Sequence, residues 1–135
     1  MIKVLMIAKA MERTGVTSVM LSYFDNIDKS KIEMDFATGS VYEICYKEHI
    51  ESAGSHFWII PDRDKNILVY IKKLARLIKA NGYDVVHVHG NSGMIFPELM
   101  AAKLGGAKVR IAHSHNTMCN HPRLETLVRP IFNHY

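Results

Sequence analysis

Short apolar runs alternate with amphipathic stretches along this chain, and that alternation is the strongest constraint on its fold. Strands that alternate with helices point to a parallel sheet with helices on its faces. The first strand is predicted at Ile2 to Ala8. The following stretch, "TGVTSVMLSYFDNI", places Val16, Val19, Met20, Tyr23, Phe24 and Ile27 on one helical face. A second strand is expected at Glu33 to Thr38 and a third at "HFWII", stopped by Pro61. Between those two, "YEICYKEHIESA" carries only a weak helical pattern.

The clearest helix spans Asp64 to Gly82, with Asp64 as its predicted N-cap and Asn81-Gly82 as a left-handed stop. Its expected apolar stripe is Ile67, Leu68, Ile71, Leu74, Ala75 and Ile78, with Lys72, Lys73, Arg76 and Lys79 on the other side. The basic side suits either a solvated face or peripheral contact with anionic lipid. The fourth and fifth strands are "DVVHVH" and "KVRIAHSH", nearly all apolar, as expected where helices cover both faces of a sheet. A helix between them runs from Ser92 or Pro97 to Leu104 and is closed by Gly105-Gly106. The last segment, 121–135, places Leu124, Leu127, Val128, Ile131 and Phe132 on one side of a helix-like pattern. Such a face needs a cover, so the chain is expected to be part of something longer and to self-associate through this segment.

With 135 residues the chain has room for one domain with a core. Two cysteines, Cys45 and Cys119, form no Cys-x-x-Cys spacing, which argues against a disulfide framework and for a reducing compartment. The apolar start is short for a signal peptide, and no apolar run approaches the ~18–20 residues of a membrane span. A soluble, cytoplasmic protein is expected. A net charge of +4 without an aromatic–basic module gives no support for nucleic-acid binding.

Two His-x-His pairs, His87 with His89 and His113 with His115, fall where the fourth and fifth strands end. A doubly wound sheet of order 3-2-1-4-5 gathers the loops after strands one, four and five on one rim, beside the crevice where the order reverses. Residues i and i+2 of a strand share a side, so each pair faces one way. Zinc is one reading, using His87, His89, His113 and His115 as in a metal-dependent hydrolase. Structural histidines are another, chiefly for His87 and His113, the inner members. His89 and His115, at the rim, are the candidates for meeting a ligand.

Gly15 falls between the first strand and the first helix. A glycine there permits close backbone approach, and a helix N-terminus offers N–H groups and partial positive charge to a diphosphate. Arg13, Thr14, Thr17 and Ser18 add charge and hydroxyls. The plainer reading is a turn glycine with Thr14 as cap. The pattern G-x-G-x-x-G is absent, against a dinucleotide enzyme.

"MIKVLMIAKAMERTGVTSVMLSYFDNID", "YDVVHVHGNSG" and above all "RIAHSHNT" resemble the N-terminal domain of retaining glycosyltransferases of family 4, in particular bacterial members that assemble capsular or exopolysaccharide. The resemblance covers residues 1–135. It implies half of a GT-B enzyme, in which two Rossmann-like domains face each other across a cleft. The N-terminal half receives a glycan or lipid-linked acceptor; the C-terminal half holds a nucleotide-sugar. His115 would then contact the donor sugar near the reacting carbon. Gly15, Val16, Thr17 and Asn116 would approach the donor, and His89, Gly90, Asn91 and Ser92 would line the acceptor side. The resemblance implies no metal or other cofactor. The family's paired glycines stand here as Thr14-Gly15, and its donor-binding Glu-x₇-Glu region lies in a second domain absent from the chain. The chain alone is therefore expected not to catalyse transfer. A non-catalytic half-domain working in a complex is the remaining alternative.

Overall fold

The computed structural model describes residues 1–41, 44–90 and 95–115. Five strands and four helices alternate: β1 (Ile2–Met11), α1 (Gly15–Asn26), β2 (Ile32–Val41), α2 (Ile44–Ser52), β3 (Phe57–Ile59), α3 (Ile67–Asn81), β4 (Val85–Gly90), α4 (Phe96–Leu104) and β5 (Val109–Ser114). The sheet is parallel throughout, in the expected order β3-β2-β1-β4-β5. β1 lies at its centre, and Val4 to Ala8 are all buried. A strand covered on both faces has no polar positions to alternate with, which is why its sequence is a continuous apolar run.

The two faces have separate cores. Leu5, Ile7, Val86 and Val88 face α3 and α4 together with Tyr70, Leu74 and Ile78. Val4, Met6, Ala8 and Phe36 pack on the opposite side with Met20 and Phe24 of α1 and Ile50 of α2. Phe24 meets Phe36 edge to face at 5.4 Å. Crossovers thus change faces between β1 and β4, the position where a doubly wound sheet opens a crevice.

Several elements differ from expectation. The weak pattern after β2 forms α2, whose one buried residue, Ile50, explains the faint signal. β1 continues to Met11, three residues past Ala8, while β3 shrinks to Phe57–Ile59. The cap of α3 is Asn66, whose side-chain oxygen accepts from Val69 N, and Asp64 instead accepts from Lys9 Nζ at 2.7 Å. The stripe of α3 is rotated as well. Tyr70, Leu74 and Ile78 are buried, whereas Leu68 is 75% exposed. Tyr70 escaped the apolar pattern because its hydroxyl is polar, yet its ring is what the core receives. The left-handed stop at Gly82 is as expected (φ 65°). β5 departs most. It is an edge strand with Val109 and Ile111 49% and 40% exposed, so its apolar sequence does not reflect cover on both faces. No helix among the described residues is long and apolar enough to cross a membrane. Cys119 and the whole of segment 121–135 lie outside the described residues.

Candidate functional site

Parallel pairing builds the site. His87 is in register with Met6 of β1, and His89 with Ala8, so both histidines point to the α1 face. Across β5, His87 is opposite Ile111 while His89 is opposite His113. The β5 pair therefore sits one pleat further along than the β4 pair. The result is a staggered group of four imidazoles on one face. Ring centroids lie 4.2 Å apart for His87–His89, 4.7 Å for His89–His113 and 4.5 Å for His113–His115, the last pair stacked within 6° of parallel. Tyr23 of α1 leans on the group at 5.8 Å from His87 and 6.4 Å from His89.

The stagger reverses the expected order of burial. His89, placed at the rim by its position in β4, is only 2% exposed, while the inner His87 is half-buried. Across β5, His89 is flanked by His113 at 4.7 Å and His115 at 5.3 Å, whereas His87 is in register with Ile111 and has His113 at 5.5 Å. His89 Nδ1 and His115 Nε2 share a hydrogen bond of 3.0 Å. The backbone N–H of His115 donates to Gly90 O at 3.0 Å, so His115 is held at both its main chain and its ring. Burial, with smaller contributions from the neighbouring imidazoles, pushes His87 down to about 4 and His89 to about 3. Burial also lowers His115. A desolvated imidazolium surrounded by other imidazoles is unfavourable, so the buried pair is neutral at pH 7.

Gly15 opens α1 on the same rim and the same sheet face. It lies eight residues before Tyr23, which at 1.5 Å per residue puts it roughly 12 Å along the helix from the histidine contact. A side chain at Gly15 would meet nothing within 4 Å, so the backbone there stands open to a ligand. The hydroxyls around it are already hydrogen-bonded within the loop, and that of Thr17 is also buried. Thr14 caps α1 by accepting from Thr17 N, Ser18 Oγ donates to Thr14 O, and the hydroxyl of Thr17, 1% exposed, accepts from Glu12 N. The Thr17 hydroxyl thereby ties the loop after β1 to the first turn of α1. Val16 is half-buried against the α1 core. Gly90, expected on the acceptor side, has a packing reason to be glycine, since a Cβ would come within 2.6 Å of Ile95 Cγ2. Asn91, Ser92 and Asn116 lie outside the described residues.

A second polar group on the rim gave no readable signal in the sequence. Glu98, 4% exposed in the first turn of α4, accepts from Arg63 Nη1 and from Tyr70 OH, both at 2.9 Å. Burial and the neighbouring Glu98 carboxylate push the Tyr70 phenol up. Lys9, Gly39, Asp62 and Asp64 join these residues around a cavity of about 270 Å³. Its residues come from four separate segments, so only the folded topology unites them. Among the described residues, groups able to offer three metal ligands are His87–His89–His113 and Glu33–Asp35–His56.

A doubly wound parallel sheet with polar groups gathered at the strand tips defines a Rossmann-like domain. Residues 4–135 match the model of Glycosyltransferase Family 4, and the chain belongs to that family. It is also 34% identical over 117 residues to the Bacillus subtilis (strain 168) protein named "Putative glycosyltransferase EpsF". That match covers 85% of this chain but 30% of the relative's length. No solved structure matches the chain.

Proposed function

We propose that the chain is the acceptor-side half of a retaining glycosyltransferase of GT-B architecture. It moves a sugar from a nucleoside diphosphate to a glycan or lipid-linked acceptor, in assembly of a capsular or exopolysaccharide. A second, donor-binding domain completes the cleft, in keeping with the 30% share of the relative that the chain spans. The observation that carries this reading is His115, fixed at the tip of β5 by Gly90 and His89 on the face where α1 begins.

Glycosyl transfer builds positive charge on the sugar and negative charge on the departing phosphate. Preorganised donors around the phosphate and a neutral group near the sugar favour that separation. If the His89 Nδ1–H donates to His115 Nε2, the Nδ1 of neutral His115 carries the proton and can donate to a sugar oxygen. The N-terminus of α1, open at Gly15, approaches the diphosphate from across the cleft, with Val16 beside it and Asn116 next to His115. The loop from His89 through Gly90 and Asn91 to Ser92 borders the acceptor. Buried His89 acts there through its hold on His115 rather than by direct contact. The transfer itself uses no metal and no other cofactor.

His115→Ala in the complete protein tests this. Turnover should fall about 100-fold, the usual scale for removing one preorganised donor, with the melting temperature nearly unchanged. Unchanged turnover with a folded variant would remove His115 from the site.

A further inference from the structure

We propose that His87, His89 and His113 form a binding site for a transition-metal dication of the zinc type. The transfer chemistry above uses His89 only to hold His115 and leaves His87 and His113 without a role.

The first observation is convergence. One ligand nitrogen from each of the three rings lies within 4.8 Å of the other two. Three imidazoles on a single metal need their nitrogens roughly 3.3 Å apart, given metal–nitrogen bonds of about 2.0–2.1 Å. Closing that gap turns the rings out of their present arrangement, in which centroids lie 4.2–5.5 Å apart with planes 13–35° from parallel.

The second observation is unsatisfied nitrogen. His87 Nε2 and His89 Nε2 are both buried and without a hydrogen-bond partner. Buried polar atoms are nearly always paired, so two orphans on alternate residues of one strand need a common explanation. Ring stacking does not supply one, since it leaves the in-plane lone pairs unused. The tautomer supplies the direction. His89 Nδ1 is engaged with His115 Nε2 at 3.0 Å, and when Nδ1 holds the proton, Nε2 presents a lone pair to the group. Metal-binding histidines commonly donate their second ring N–H to a neighbour, which fixes the tautomer and the ring. His115 serves here as that neighbour.

Ligand type selects the ion. An imidazole set suits zinc and its transition-metal neighbours, not magnesium or calcium, which prefer oxygen. Among the described residues no carboxylate or thiolate joins the three histidines. The ion would therefore keep its charge and an open position for water or an anionic ligand.

The test is titration of the metal-free chain with zinc by calorimetry, and with cobalt(II) by visible absorption. One equivalent of zinc should bind with a dissociation constant of about 1 μM or tighter, near −8 kcal/mol. His87→Ala and His89→Ala should each weaken binding about 10–100-fold or more, while His49→Ala on α2 should leave it unchanged. A nitrogen-detected imidazole spectrum of the unaltered chain provides a second reading, with zinc expected to shift Nε2 of both His87 and His89. Absence of a saturable equivalent up to about 100 μM zinc, near −5.5 kcal/mol, would overturn the proposal. So would full affinity in both variants, or zinc-shifted signals that belong only to other histidines.

Discussion

Two groups of buried polar side chains stand on the same rim of the sheet, and they reach electrical neutrality by different routes. At the tips of β1 to β3, Glu98 pairs with Arg63, and Arg63 Nη1 and the Tyr70 hydroxyl both donate to one of its oxygens. At the tips of β4 and β5, four imidazoles crowd together, His89 Nδ1 and His115 Nε2 share a hydrogen bond, and burial strips His87 and His89 of charge. The first group pairs opposite charges within itself, although Glu98 Oε2 is buried without a hydrogen bond. In the second, two buried nitrogens lack any partner. A group that pairs its own charges contributes mainly to stability, whereas one whose orphaned atoms are uncharged ring nitrogens has capacity for a ligand. The contrast makes separable predictions, because losing a partner should harm the first group and adding protons should harm the second.

The largest effect is expected at Glu98. Glu98→Ala removes the carboxylate that Arg63 and Tyr70 both use and leaves a guanidinium 13% exposed beside the cavity. Removing one partner of a buried ion pair costs roughly 3–5 kcal/mol, and the lower end applies here because Arg63 also lies 3.8 Å from Asp64. Urea unfolding should show that loss, and adding Arg63→Met should recover part of it. A loss below about 1 kcal/mol would mean that the pair is solvated and that the comparison is drawn wrongly.

The histidine group should respond next, and only to acid. In the folded chain His87 and His89 are held at about 4 and about 3, below the ordinary 6.5. Between those values and 6.5 the unfolded chain binds more protons than the folded one, so stability falls as pH falls. The contribution is complete above about pH 6.5 and disappears as pH drops through the folded values. For metal-free protein, a loss of about 2 kcal/mol is expected between pH 7 and pH 5, discounted for the half-exposed His87. Unfolding midpoints at several pH values measure it. The slope should flatten in His89→Phe, and a slope unchanged there would place the titration elsewhere.

Sequence legibility follows the same division. The strand order and the gathering of both histidine pairs on one face could be read, because parallel pairing and alternation fix them regardless of detail. Burial at His89 could not be read. It depends on a stagger of one pleat between β4 and β5, which sets both β5 histidines beside His89 and which a single strand does not encode. The cap of α3 was misplaced by two residues because Asp64 and Asn66 are equally good caps locally, and the choice is made by Lys9, far off in sequence. Arg63, Tyr70 and Glu98 resemble ordinary loop and helix residues until α3 and α4 pack together. Local chemistry was therefore readable where one element decides it and hidden where two or more do.

The smallest effect in stability sits at Gly15, and it is the one that separates a glycine kept for a ligand from one kept for packing. A Cβ at Gly105 would come within 2.7 Å of Ile78 and 2.9 Å of the Ala75 carbonyl, so Gly105→Ala should destabilise the α3–α4 contact. At Gly15 the same methyl group meets nothing within 4 Å, and φ there is not in the left-handed range. Gly15 is also the first residue of α1, where alanine restricts the unfolded chain and favours the helix. Gly15→Ala should therefore raise stability by about 0.5 kcal/mol, a change readable as a melting point higher by a few degrees. In the complete protein the same variant should raise KM for the donor, because the methyl group occupies the space through which a diphosphate would approach. Raised stability with an unchanged donor KM would show that the open space over α1 is not used. The glycine would then be a turn residue and nothing more.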